Sequence, residues 1–259
     1  MVRALPFGLR LVLTLGVAFT LAWACSCEAK IHALVVADTE SPTARAAEED
    51  SARVYHELRR AADYLDEELQ FHLISGDELQ ADRVMCAMDA LQVSGQDMVV
   101  FYYLGHGFRT LDKRSPWPYL YLSQAKQGLD TSLLVETLIE KRPKWGLVVT
   151  DCCNNEESLL MWQGLFGFSS ESHPSNDQLR KGYRALLNQF SGIVCVSAST
   201  PGELAYCSSK GHLFTQAFWW SLHKELTQQS PSWEALLDRC ARQLSRFQTP
   251  YFEILYYPE

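Results

Sequence analysis

Two apolar runs in this chain each end on a side chain that can do chemistry. Met98-Val-Val-Phe-Tyr-Tyr-Leu-Gly-His106-Gly107 closes on an imidazole held between two glycines. Trp145-Gly-Leu-Val-Val-Thr-Asp151-Cys152-Cys153-Asn154-Asn155 closes on two adjacent thiols. A thiol attacks a carbonyl well only as its thiolate, which a nearby imidazole favours by taking or stabilising the proton. The same imidazole can later protonate a leaving amine. The backbone N–H groups of Gly107 and Cys153 are candidates for an oxyanion hole, because glycine lets the chain approach a substrate closely. His106 is therefore the expected base, and Cys152 and Cys153 compete for the role of nucleophile.

Each run is short, rich in Val and aromatics, and bounded by turn residues, which reads as a strand buried on both faces. In open α/β sheets ligands sit beyond the carboxyl ends of the strands, so both reactive residues are expected to face one crevice. The rest of the chain supplies alternating partners. Strands are expected over Ile31 to Ala37, Phe71 to Ile74, Asp97 to Tyr103, Trp145 to Thr150, Gly192 to Ser199 and Tyr251 to Tyr257. A short strand or ribbon is expected at Tyr119 to Leu122. Helices are expected after Ser41-Pro42, where Val54, Leu58, Ala61 and Leu65 form an apolar stripe, and over Leu79 to Val93. Further helices are expected over Asp130 to Lys141, capped by Asp130, over His212 to Thr227, and after Ser230-Pro231. Such alternation predicts an α/β fold, a three-layer sandwich with a mostly parallel sheet and helices on both faces. Phe218-Trp-Trp220 lies on a predicted helix and reads as packing. The stretch from about 154 to 190 mixes Gly, Ser and Pro with aromatics and reads as a mobile linker.

The ordered motifs resemble those of the caspase-fold cysteine peptidases, in particular the metacaspase and bacterial orthocaspase branch of the clan that also holds caspases and legumain. The motif Tyr-Ser-Gly-His-Gly is matched by Tyr103, Gly105, His106 and Gly107, with Leu104 where Ser is usual. The motif Asp-Ser-Cys-His-Ser-Gly is matched by Asp151 and Cys153, with Cys152, Asn154 and Asn155 as departures. His106 stands roughly 50 residues before Cys153, as in the caspase signature. The likeness runs from about residue 31 to 225 and takes in Asp50-Ser-Ala and Gly211-His-Leu-Phe-Thr215. It selects Cys153 over Cys152 as nucleophile. It also implies a pocket for a basic residue before the cut, formed by Asp151 and Asp50, and processing within the 154 to 190 linker at Arg180, Lys181 or Arg184. The alternatives are an inactive caspase-fold binding protein, in view of Asn154 and Asn155, or a legumain-like peptidase cutting after Asn. Of the seven histidines, only His106 sits in such a constellation; His32, His56, His72, His173, His212 and His223 read as surface or packing residues.

With 47% apolar and 21% charged residues, the composition is that of a globular domain large enough for a sizeable core. A formal net charge of −8 and the lack of a basic stripe argue against nucleic-acid partners and leave a protein or peptide substrate. Arg3 and Arg10 precede the uncharged run Leu11 to Ala24, and Ala22-Trp-Ala24 supplies a small-residue cleavage pattern. That run is short for a bilayer span of about 20 residues, so residues 1–29 read as an export signal and residues 30–259 as the peptidase domain, periplasmic or extracellular. An uncleaved anchor and a lipid-modified Cys25 are the alternatives. Cys86, Cys195, Cys207 and Cys240 could form disulfides outside the cytoplasm or remain buried thiols. No spacing suggests zinc, and no cofactor is expected, with calcium activation left open.

Overall fold

A computed structural model describes residues 29–156 and 174–257; the expected export signal and Cys25 lie outside them. The chain runs β1 (Lys30–Ala37), α1 (Ala44–Leu65), β2 (Glu68–Ser75), a 3-10 turn (Gly76–Glu78), α2 (Ala81–Ala90), β3 (Met98–Leu104), β4 (Gly107–Phe108), β5 (Tyr119–Leu122), β6 (Gln127–Asp130) and α3 (Thr131–Lys141). It continues with β7 (Trp145–Asp151), α4 (Asn176–Tyr183) extended by a π-helical turn (Arg184–Asn188), β8 (Gly192–Ser197), β9 (Cys207–Ser208), β10 (Gly211–His212), α5 (Leu213–Glu225), α6 (Trp233–Leu244) and β11 (Tyr251–Tyr256). The central sheet has the order β11-β8-β7-β3-β1-β2, all parallel except β11.

The period-two alternation of the strands splits the core in two. Val35, Val100, Tyr102, Leu147, Val149 and Val196 face the layer made by α1, α4, α5 and α6. Leu34, Val36, Val99, Phe101, Val148 and Cys195 face the layer made by α2, α3 and the antiparallel ribbon β4-β5-β6. Both faces are covered, which is why β1, β3, β7 and β8 read as unbroken apolar runs. Truncating one of the leucines in these layers, such as Leu138, which is fully buried, costs about 2–5 kcal/mol. The stripe Val54, Leu58, Ala61 and Leu65 is buried as expected. Asp130 caps α3 by accepting from the Ser132 N–H.

Several boundaries differ from the sequence reading. β2 is longer at both ends because an edge strand with polar Glu68, Gln70 and His72 carries no apolar run to mark it. α2 is shorter: Leu79 is buried at the end of the 3-10 turn, and Leu91 is already extended. The linker is shorter than expected, since residues 176–188 are helical and bury Leu179, Tyr183, Leu186 and Leu187 in the core. Residues 157–173 lie outside the described part. Cys86 is exposed, not in the core; Cys195 and Cys240 are buried, Cys207 is half-buried, and all four are free thiols. Phe218 and Trp219 are packing residues.

Candidate active site

The site grows from the carboxyl ends of β1, β3, β7 and β8. Leu104 pairs with Asp151, the Gly105 N–H donates to the Asp151 carbonyl at 3.3 Å, and the Asp38 N–H donates to the Leu104 carbonyl at 2.8 Å. The chain leaves β1 to one side for β2 and returns on the other as β3, so this edge is a topological switch point, where such sheets leave a crevice. His106 and Cys153, each two residues past its strand, emerge there.

The approach of the two segments depends on Gly107. A Cβ at that position would collide with the Cys152 Sγ and the Cys153 carbonyl oxygen. His106 is fixed through its own carbonyl, which accepts from the Tyr121 N–H at 2.9 Å and lies 2.7 Å from the Tyr103 hydroxyl. Because Tyr121 and His106 form a hydrogen-bonded antiparallel pair, Gly107 and Leu120 form the next, non-bonded pair, and the Gly107 N–H points away from β5. The Arg109 N–H on the same edge donates to the Asn155 carbonyl at 2.9 Å, so this edge faces the cysteine loop. An N–H aimed at that side, with no hydrogen bond among the described residues, is what an oxyanion donor requires.

The Cys153 thiol is half-buried and its neighbour Cys152 fully buried, as alternation at a strand end requires. Cys153 Sγ receives the Ala205 N–H at 3.4 Å and approaches the Ala205 carbonyl at 3.6 Å. Burial pushes the Cys153 thiol up, the Ala205 N–H pulls it down, and the Asp151 charge raises it again. Burial lowers His106, against the opposing pull of Asp38 and with a further push from His212. In this arrangement the thiol's hydrogen bonds go to Ala205, as is common for catalytic pairs without substrate.

The two acids singled out in the sequence are both fully buried. Asp151 Oδ2 accepts from the Thr215 N–H at 2.8 Å and the Thr215 hydroxyl at 2.7 Å, while Oδ1 is buried without a partner. Asp50 Oδ1 is paired with Arg53 at 2.7 Å, and its Oδ2 accepts from both the backbone N–H and the ring Nδ1 of His212, the latter at 3.0 Å. The sequence reads His212 as a surface or packing residue; it is buried, in an internal charge cluster with both acids. Burial alone would lower its pKa, but Asp151 and Asp50 outweigh that and raise it. Burial raises Asp151 to about 6, moderated by His212 and Thr215. β9 and β10 were too short for any sequence period to reveal. Their hairpin brings His212 in, and Gly211 is required at its turn: φ is +114° and a Cβ would strike the Asp50 carboxylate.

Asn154, a departure from the resembled motif, is also fully buried. Its side chain donates to the Pro116 carbonyl at 2.8 Å and the Ser199 carbonyl at 3.2 Å and accepts from Arg109 at 3.0 Å. Its N–H and carbonyl bond Glu203 and Gly202. The residue thus ties the cysteine loop to two other loops, the one between β4 and β5 and the one between β8 and β9. A buried amide with every group satisfied was invisible in the sequence because its partners are far apart along the chain.

A half-buried cysteine and a histidine thus stand at the switch point of a mostly parallel α/β sandwich. The profile of the caspase domain matches residues 32–255, and the chain belongs to that family, whose members are cysteine peptidases. Among solved structures, protein GSU0716 from Geobacter sulfurreducens is similar, with a TM-score of 0.55 at 14% identity over 89% of this chain and 95% of that one. Caspase-1 from Spodoptera frugiperda is similar, with a TM-score of 0.55 at 12% identity over 88% of this chain and 89% of that one. At such identities the two structures speak for the fold. No curated protein matches the sequence.

Proposed function

We propose that the chain is a cysteine endopeptidase that cleaves peptide bonds through an acyl-enzyme on Cys153. The observation that supports it best is the seating of Gly107 against the Cys152–Cys153 backbone, which puts His106, the Gly107 N–H and the thiol on one edge. The Cys153 thiol gives its proton to His106 and its sulfur attacks the scissile carbonyl. The resulting oxyanion is met by the N–H groups of Gly107 and Cys153. His106 then passes its proton to the leaving amine, and water, deprotonated by the same ring, hydrolyses the thioester and frees the thiol. The domain needs no metal for these steps. Protein or peptide is the substrate, and export through residues 1–29 places the domain outside the cytoplasm.

The preference is for Arg or Lys before the cut, with Asp151 supplying the unpartnered carboxylate oxygen and Asp50 its companion. A substrate cation taken out of water needs such a partner. A second reading is favoured by one observation: Asp50 is already engaged by Arg53 and His212. Opposite charges that satisfy each other leave a polar pocket of low net charge, which suits a carboxamide, and on this reading the cut follows Asn. Cleavage of a peptide library by residues 30–259, with Cys153→Ala as control, separates the readings. Cuts after Arg or Lys support the first, cuts after Asn the second. A chain that neither cleaves nor reacts with iodoacetamide at Cys153 faster than at its other thiols is a binding protein.

A further inference from the structure

We propose that Asp38 is a positioning residue for His106, its carboxylate holding the Nε2–H of the imidazole so that Nδ1 is presented to Cys153. The inference rests on His106 being the base. Asp38 is the first residue past β1 and is fully buried at the switch point. Its backbone N–H is bonded to the Leu104 carbonyl at the end of β3, and its Cβ is packed against Gly105, where an added Cβ would come within 2.8 Å of it. The next residue is His106.

Two orphaned atoms meet this description. Asp38 Oδ1 accepts from the Ser123 hydroxyl at 2.9 Å and from the Glu40 N–H at 3.4 Å, but Oδ2 is buried with no hydrogen-bond partner. His106 Nε2 is likewise buried with no partner. The two atoms are not hydrogen-bonded to each other among the described residues; a buried acceptor and a buried imidazole nitrogen left unsatisfied on neighbouring strand ends are unfavourable, and a turn of the ring toward Asp38 would pair them. The Ser123 and Glu40 bonds fix the carboxylate's rotation, so that Oδ2 is the free oxygen. An imidazole whose Nε2 carries the proton and is held by a carboxylate has its Nδ1 lone pair ready to take a thiol proton. The carboxylate also stabilises the imidazolium that forms, as an orienting acid does in a serine triad.

The groups that bear on His106 are Asp38 just past β1, the Tyr103 hydroxyl at its carbonyl from β3, and His212 from β10, while the Cys152 thiol packs against the adjacent Gly107. Of these, Asp38 opposes the downward push of burial and His212 adds to it. Removing the Asp38 charge therefore lowers His106, less imidazolium stands beside the thiol, and Cys153 ionises at higher pH.

Asp38→Asn keeps the shape and removes the charge. In full-length protein we expect kcat to fall by up to about 10⁴-fold with KM little changed, the size of effect seen when the orienting acid of a serine triad becomes its amide. The pH profile of iodoacetamide reaction at Cys153 moves to higher pH. A folded Asp38→Asn protein with unchanged kcat and an unchanged alkylation profile overturns the proposal. If the variant does not fold, ¹⁵N shifts of the His106 ring in the unaltered chain decide: the neutral Nε2–H tautomer supports it and the Nδ1–H tautomer refutes it. Tautomer and alkylation are read without peptide turnover. A chain without peptidase activity whose His106 is the Nε2–H tautomer therefore refutes the peptidase reading and leaves the Asp38–His106 link standing.

Discussion

The dyad edge and the charge cluster beside it are built by opposite means. At the edge, His106 and Cys153 are half-buried and are placed almost wholly by main-chain bonds: Tyr121 N–H to His106, Gly105 N–H to Asp151, and Arg109 N–H to Asn155. In the cluster, Asp50, Asp151 and His212 are buried; Asp50 is held by Arg53 and His212, Asp151 by Thr215, and the charges of both acids act on His212. Chemistry requires a thiol and a ring that can move protons and meet substrate. On the proposed peptidase reading, specificity would be served by charges set beforehand in a dry interior, where each is worth more than in water. The difference teaches that substitutions at the edge change turnover, while substitutions in the cluster change preference and stability together.

The largest effect tests the edge. Cys153→Ala or His106→Ala should reduce turnover to background, on the order of 10⁶-fold by analogy with other nucleophile and base units, while circular dichroism and the unfolding midpoint stay close to those of the native chain. Cys152→Ser should keep most activity, since that thiol faces the core. A dead Cys152→Ser with a live Cys153→Ala would reverse the assignment.

In the cluster, Asp151→Asn should weaken transition-state binding of Arg and Lys substrates by about 2–5 kcal/mol, the loss expected when a buried charge loses its partner. Neutral substrates should lose less. Equal kcat/KM losses on both kinds of peptide would show that Asp151 is structural and reads no charge.

The same acid links stability to pH. Asp151 is raised to about 6 in the folded chain and His212 is raised as well. Their contribution is therefore present at low pH and is lost as pH rises, first from about 4 to 6 for the acid and then above 6.5 for the histidine. Relative to the native chain, Asp151→Asn should gain on the order of 3 kcal/mol between pH 4 and 6, measured by urea unfolding. A pH-independent difference would place Asp151 outside the coupled cluster.

Smaller still is Asn154→Ala, which takes the amide donor from the Pro116 and Ser199 carbonyls and one acceptor from Arg109, and should cost about 1–3 kcal/mol. Activity should fall with it, because the cysteine loop loses its anchor. A variant as stable as the native chain would show that solvent takes over those bonds.

Much of the edge was legible in the sequence, and little of the cluster was. His106 and Cys153 announce themselves because doubly covered parallel strands produce unbroken apolar runs that stop abruptly at the site. His212 and Asp38 follow no such mark: one lies on a strand of two residues, and the other ends a run with no motif beside it. Their roles depend on which strands become neighbours, information that no local spacing carries. The helix at 176–188 was read as part of a linker because the Gly, Ser and Pro residues before it dominate the composition, although Leu179, Tyr183, Leu186 and Leu187 already had helical spacing.

The bonds that cross strand ends carry a further consequence, in hydrogen exchange. Gly105 N–H to Asp151, Asp38 N–H to Leu104, and Ala198 N–H to Thr150 link four strands in one line directly beneath the reactive residues. None of these amides can open without parting the middle of the sheet. They belong to the slowest-exchanging set, whose opening free energy equals that of global unfolding. The reactive edge then has no private melting step, and heat inactivation of the enzyme should coincide with loss of the whole fold.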